Sequence, residues 1–351
     1  MKTFATMQDD RLAEILAEFD RLRIAIVGDF FLDKYLDIDP SLAEVSIETG
    51  RTAHQVVAVR HSPGAAGTVV GNLAALGVRT IHAVGFCGND GEGFELVADL
   101  EQLGCSVRHL HRVADRQTPT YLKPCDRTVP GLEGEHSRYD TKNRRPTSRA
   151  LQRSIADSLA AVVADVDAVI VADQVEEAEC GVVTSPVRAA LAALAARNRR
   201  VIFWADSRLR IRQFRGLAIK PNQFEAIGQD NPLQGEPVAR ELLLAALAAL
   251  RRGAGAPVCI TRGAAGMLVS DPEPIAVPGV RVEGPIDPTG AGDSATAGAV
   301  AALAGGASLP EAALVGNLVA SITIQQLGTT GAARPDQVRQ RLALWRRQHG
   351  C

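Results

Sequence analysis

A chain of 351 residues, 46% hydrophobic and 22% charged, is long enough to bury a large core, as one α/β unit or one unit with a smaller attachment. Its formal net charge of −2 gives no general pull toward nucleic acid or an anionic membrane, so neither is expected as a partner. The six cysteines form no C-x-x-C pair, which argues against a zinc site or a disulfide scaffold and fits a reducing compartment.

The N-terminal stretch lacks the apolar core of a signal peptide and reads as an amphipathic helix with Leu12, Ile15, Leu16 and Phe19 on one face. The longest apolar candidate, LLLAALAAL, is too short to span a membrane, so a soluble, cytoplasmic protein is expected. Short apolar runs then recur: IAIVGD (24–29), IHAVGF (81–86), AVIVAD (168–173), VIFWAD (201–206), LAIKPN (217–222), VCITRG (258–263) and GMLVSD (266–271). Alanine- and leucine-rich helical segments separate several of them, and GNDGEG (88–93) reads as a helix start. This alternation predicts an α/β fold: a three-layer, doubly wound, mostly parallel sheet with helices on both faces.

In such sheets the ligand sits beyond the carboxyl ends of the strands, where Asp29, Asp173, Asp206, Asn222 and Thr261 predict a polar rim. Two regions break the rhythm. Residues 34–62 and 105–140 have alternating, β-branched character, and read as a small β-sheet lid over the rim or, alternatively, as two long surface hairpins. Near the C-terminus, IDPTGAGDSATAG (286–298) precedes an alanine-rich helix. Two readings stand for it. Its glycines turn the chain while Asp293 or Ser294 caps the helix, or its bare amides form an anion hole beside a carboxylate that can accept a proton. No Walker-type phosphate loop occurs, and no G-x-G-x-x-G follows the first strand, which weakens a nicotinamide-dependent dehydrogenase.

DPTGAGDSATAG, with KPNQFEA (220–226), ITRGAAG (260–266), GDFFLD (28–33) and SPGAAGTVVGNLAALG (62–77), resembles the ribokinase-like (PfkB-type) carbohydrate kinases in the order that family requires. The resemblance covers nearly the whole chain and implies a single kinase domain over residues 1–351, with the two lid segments inserted in it. It implies that Asp293 is the catalytic base and that the amides of Gly290, Ala291, Gly292 and Asp293 form the anion hole. Asp287 and Thr289 match positions that help bind a monovalent cation, K+ being the candidate. Asn222 and Glu225 would organise the Mg2+-bound phosphates of ATP, with Glu225 reaching the metal through water. Thr261 and Gly263 would lie near the phosphates, and Asn317 would line the adenine site.

On the acceptor side the resemblance implies that Asp33 holds substrate hydroxyls and that Gly64 and Thr68 border the sugar. Relatives show paired glycines and then an asparagine, where this chain has Gly64-Ala65 and then Thr68. A hydroxyl offers fewer contacts than a carboxamide, so the sugar contact is altered. The likeness runs closest to the kinase half of the heptose 7-phosphate kinases, through RIAIVGDFFLDKY, RQFRGLAIKPNQFEA and QQLGTTGA. Those proteins often carry a fused nucleotidyltransferase domain, which this sequence would stop short of.

Arg208 and Arg210, in ADSRLRIRQFRG, follow a strand end; they grip a phosphate already on the sugar or form a solvated basic edge. The expected function is transfer of the γ-phosphoryl group of ATP to a sugar or sugar phosphate, heptose 7-phosphate being one candidate. The alternatives are a neutral-sugar or nucleoside kinase, or a non-catalytic sugar- or nucleotide-sensing protein. Asp293 is expected to be an ordinary ionised aspartate. A homodimer through the lid is expected, because exposed strand edges are often covered by a partner.

Overall fold

In the computed structural model, which describes residues 2–129, 131–229, 236–328 and 331–350, five of the runs and one further strand form one sheet. Its order is Ala218–Ile219, Ile202–Ser207, Ala168–Asp173, Arg23–Gly28, Thr80–Gly88 and Cys105–Val113, every pair parallel. The central strand Ala168–Asp173 is buried along its whole length, which is why it reads as a continuous apolar run. Successive side chains face opposite layers. Ile24 and Ile26 pack with the helices Ala66–Ala75, Gly91–Gln102, Ala291–Ala304 and Leu309–Thr323, together with the N-terminal helix Asp9–Ala17. Ala25 and Val27 pack on the other side with Arg149–Val163, Ser185–Arg197 and Arg240–Ala254. Leu12, Ile15 and Leu16 form the buried stripe expected of the first helix, with Phe19 beside them.

Parallel bridges Ile219↔Val258 and Asn222↔Thr261 attach a second sheet, ordered Lys2–Thr3, Ile275–Val277, Met267–Val269, Cys259–Thr261. Met267–Val269 is antiparallel to both neighbours, which interrupts the parallel pairing until Lys2–Thr3 joins Ile275–Val277 in parallel. A third sheet, ordered Tyr139–Thr141, Thr120–Asp126, Phe30–Ile38 and Val56–Ala65, stands at the carboxyl ends of the central strands. Its first half starts four residues before the expected 34–62 segment, at Phe30, and ends at Ala65. The expected second segment, 105–140, divides differently. Cys105–Val113 is the edge strand of the central sheet, and only Thr120–Asp126 and Tyr139–Thr141 belong to the lid. The physical reason is that an edge strand is only partly buried, so it lacks the continuous apolar run of the central strands and reads like a lid strand.

Where the lid strand turns into the helix Ala66–Ala75, Ala65 holds φ +53° and ψ −116°, a conformation that crowds any Cβ. Ala65→Gly is therefore expected to stabilise the fold by about 1 kcal/mol, read as a raised denaturation midpoint with an unchanged m-value. A lowered midpoint would show that the strain is absorbed elsewhere.

Candidate active site

The glycine-rich stretch closes the amino end of the helix Ala291–Ala304. Gly290 takes φ +74° as its N-cap, a left-handed geometry that glycine adopts without Cβ strain. Among the described residues neither Asp293 nor Ser294 accepts a hydrogen bond from a helix-start amide; the Ser294 hydroxyl instead donates back to the Gly290 carbonyl at 3.0 Å. The capping reading is thereby excluded. The four-amide hole needs one correction. The Ala291 N–H donates to the Pro288 carbonyl at 3.1 Å, closing the turn, so Gly290, Gly292 and Asp293 supply the amides left over for an anion. Gly292 is exposed to the cavity, and a Cβ placed on it would lie 3.6 Å from the Lys220 ammonium.

Lys220, within KPNQFEA, is a cavity residue to which the resemblance assigns no role. It follows Ala218–Ile219, is 3% exposed, and its Nζ lies 2.7 Å from Asp206 Oδ2, at the end of the neighbouring strand. Burial pulls its pKa down, but the Asp206 carboxylate outweighs this and leaves it above the ordinary lysine value. Thr296 also donates to Asp206 Oδ2, at 3.2 Å. Two further acids share this ground. Asp293 is pushed up to about 7, first by burial and then by Asp206, with Lys220 and Arg208 opposing. The expectation of an ordinary ionised aspartate is thus corrected: desolvation and a second carboxylate both penalise its charge. Glu225 is pushed up to about 7 by the same two causes. Asn222 and Glu225 form a capping box: Asn222 Oδ1 accepts from the Phe224 and Glu225 amides, and Glu225 Oε2 accepts from the Asn222 amide at 2.7 Å. This holds the Glu225 carboxyl at the cavity wall.

These groups line one side of a cavity of about 890 Å³ whose other side is the lid sheet. Asp33 lies there, 8% exposed, with its Oδ1 3.1 Å from the Lys123 ammonium. Gly64 lies on the paired strand opposite Phe31, diagonal to Asp33, and a Cβ there would come within 2.5 Å of Asp33 Oδ2, so glycine leaves room for the carboxylate. Thr68 is buried at the cavity floor. Tyr121 and Arg138 stack at the rim, the guanidinium 4.4 Å from the ring centroid. The two arginines considered together in the sequence part company. Arg208 reaches the cavity, its Nε 3.2 Å from Glu176. Arg210 does not: its guanidinium bonds Asp173 at 3.3 Å and the carbonyls of Val175 and Glu176 at 2.7 Å each, so it braces the loop beneath.

Two of the five expected rim residues are likewise structural. Asp29 accepts from the amides of Gln174, Val175 and Val182, and Asp173 accepts from the Ser207 hydroxyl at 2.6 Å. Asp206, Asn222 and Thr261 do face the cavity.

Beyond the loop lies a second, largely apolar cavity of about 470 Å³. Thr261, Pro288 and Gly292 border both cavities. Gly263, Met267, Val280 and Ala295 line the second, and Asn317 closes it, its amide donating to the carbonyls of Val277 and Pro278. Asp287 and Thr289 line the larger cavity, with the Thr289 amide on Asp287 Oδ1 at 2.9 Å. An apolar slot, a loop of free amides and a polar cavity under a lid thus lie in sequence. This arrangement suits a planar base, its phosphates and a hydroxylated acceptor. Lys123 and Arg138 carried no signal in the sequence, since only the lid register turns them inward; Lys220, a lysine at the end of an apolar strand, did.

Fold and cavity are those of a small-molecule phosphotransferase. A profile described as pfkB family carbohydrate kinase matches residues 31–336, and the chain belongs to that family, whose members are ATP-dependent carbohydrate kinases. It is 31% identical over 331 residues to the "Bifunctional protein HldE" of Caulobacter vibrioides, covering 92% of this chain and 64% of that one. The protein of the same name from Azorhizobium caulinodans is 31% identical over 326 residues, covering 92% and 65%. The chain therefore spans slightly under two-thirds of the length of these curated relatives. Among solved structures, Thermotoga maritima ribokinase is similar with a TM-score of 0.64 at 20% identity, covering 92% of this chain and 99% of that one. Escherichia coli phosphofructokinase-2 in complex with potassium is similar with a TM-score of 0.67 at 18% identity, covering 92% and 98%. These two likenesses establish the fold. Among the described residues no helix is long and apolar enough to cross a membrane.

Proposed function

We propose that this kinase transfers the γ-phosphoryl group of ATP to a hydroxyl of a sugar that already carries a phosphate, a heptose 7-phosphate by the sequence resemblance. The observation that carries the transfer step is the place of Asp293, on the loop of free amides and between the apolar slot and the lid cavity. Phosphoryl transfer depends mainly on positioning and charge stabilisation. The amides of Gly290, Gly292 and Asp293, with the Lys220 ammonium beside them, meet the charge that develops on the moving group. Asp293 takes the acceptor's proton as the new O–P bond forms. Asp33 and Thr68 orient the sugar, and Asn317 with the apolar slot holds the base.

The donor set fits magnesium bound largely through water and phosphate oxygens. Among the described residues no group of three or more His, Cys, Asp or Glu side chains forms an all-protein cage, and Glu225 presents one carboxyl at the cavity wall. When bound, the ion neutralises charge on the β- and γ-phosphate oxygens. Asp287 with the Thr289 loop is proposed as a potassium position.

The phosphorylated acceptor is supported by Lys123, Arg138, Lys142 and Arg208, which converge on the lid end of the cavity. Arg208 is half exposed and its pairing with Glu176 is weak in water, so a phosphate dianion can displace it. That same pairing, together with the Lys142–Glu176 pair at 3.5 Å, is what favours the second reading, a neutral sugar. Arg208→Ala separates the two. With a phosphorylated acceptor, KM for the sugar should rise about tenfold or more while KM for ATP stays put. A neutral acceptor would leave both unchanged. Arg210→Ala, by contrast, should lower the melting temperature, because it strands Asp173.

The lid is proposed as a homodimer surface. Its edge strand Val56–Ala65 exposes Val56, Val57 and Val59, and Ile47 in the adjoining hairpin is 98% exposed. A monomer in sedimentation velocity at micromolar concentration would remove this reading.

A further inference from the structure

A third cavity, of about 500 Å³, lies on the far side of the segment that walls the apolar slot. That segment, through Arg281 and Val282, borders both cavities. The opposite wall is one face of the last helix, Pro335–His349. Gln337, Arg341, Leu344 and Gln348 recur three and four residues apart along it, with Arg347 beside them. The buried stripe of this helix is a different one, Val338, Leu342 and Trp345. The face turned to the cavity is therefore polar and cationic although it looks into the protein.

Three arginines, Arg281, Arg341 and Arg347, line this space, and Glu283 is its single acid among the described residues. None of the three has a carboxylate within ion-pair distance among the described residues, whereas Arg346, next in sequence, is paired to Asp9 at 2.8 Å. Arg341 is half-buried, and its guanidinium bonds neutral groups: the Ser321 carbonyl at 2.8 Å and Gln325 Oε1 at 2.7 Å. Uncompensated guanidinium groups around a pocket of small-molecule size make a site for a small polyanion, since the planar fork matches phosphate and carboxylate oxygens.

The cavity is mechanically tied to the nucleotide side. Gln348 accepts from the Arg281 amide at 2.9 Å and donates to the Arg281 carbonyl at 2.7 Å, bolting the dividing segment to the last helix. Gln325, held by Arg341, donates to the Glu283 carbonyl at 3.3 Å, tying the same segment to the helix Leu309–Thr323. That helix also carries Asn317 and Ala320 into the apolar slot. An anion drawn between Arg281 on the segment and Arg341 and Arg347 on the last helix would shift or lock the wall shared with the slot.

We propose that this cavity is a second, regulatory anion site, taking a small phosphorylated compound and coupled to nucleotide binding through the segment at residues 280–283. Pyrophosphate is the probe, titrated by calorimetry into the full chain with ADP saturating the nucleotide site. Arg347→Glu is the decisive variant, because Arg347 is exposed and makes no hydrogen bond or ion pair among the described residues, so the fold is expected to tolerate the change. One equivalent of pyrophosphate should bind wild-type protein in the presence of ADP and lose at least about tenfold in affinity in Arg347→Glu. Arg208→Ala, in the catalytic cavity, should retain that equivalent. By reciprocity, saturating pyrophosphate should change ADP affinity by about fivefold or more in wild type and not in Arg347→Glu. Pyrophosphate binding that disappears under ADP, persists undiminished in Arg347→Glu, or leaves ADP affinity unchanged would overturn the proposal.

Discussion

Asp293→Asn is expected to fold and bind ATP like the wild type while losing turnover by at least about a hundredfold. Asparagine preserves the shape of the side chain, so the loop amides and the apolar slot stay in place. What it removes is the capacity to accept a proton. The pH dependence carries the sign. With its pKa raised to about 7, Asp293 is mostly protonated and unable to act below that pH, and ionised and able to act above it. Wild-type kcat/KM, which reports groups of the free enzyme, should therefore climb through about pH 7, and the climb attributable to this group should vanish in Asp293→Asn. Glu225 titrates in the same range, so Glu225→Gln serves as the comparison and should keep an alkaline-rising limb. Turnover close to wild type in Asp293→Asn would remove the residue from the reaction.

Lys220→Met carries the second large effect, on stability and on chemistry together. The Lys220–Asp206 pair is almost fully enclosed, and stripping the cation strands a buried carboxylate, at a cost of about 3–5 kcal/mol. The ammonium also opposes the upward push on Asp293, so its loss should move the pH limb of kcat/KM to higher values. Turnover at neutral pH should drop by about a hundredfold or more, as when a donor to the developing charge is removed. Asp206→Asn introduced alongside tells the two apart: the double variant should recover most of the lost stability, because both buried charges are gone, yet stay slow. A single variant with unchanged melting temperature and an unmoved pH limb would show that Lys220 neither braces the site nor acts in it.

The parallel core was readable from the amino-acid order because strands covered on both faces, such as AVIVAD and IAIVGD, are apolar throughout. Half-covered strands were not so readable. Cys105–Val113 at the edge of the central sheet and Thr120–Asp126 in the lid are both only partly buried and mix polar with apolar residues, and only pairing decides to which sheet each belongs. Arginines two positions apart illustrate the same limit. Both follow one strand, but Asp173 and two carbonyls capture Arg210 while Arg208 is left at the cavity. Asp29 and Asp206 end their strands in similar sequence contexts, yet one is consumed by three backbone amides and the other meets a lysine.

Local order in the chain by itself determined the layered α/β architecture, the glycine turn ahead of Asp293 and the family, since each rests on short-range patterns of apolar, permissive and polar residues. The third dimension alone decided which amides of that turn stay free, which cations reach the lid cavity, and that Asp293 is poised near neutrality. The reason is physical: a carboxylate's proton affinity depends on how much water it has lost and which charges stand nearby, and Asp206, Lys220 and Asp293 become neighbours only once strands and helices far apart in sequence have packed.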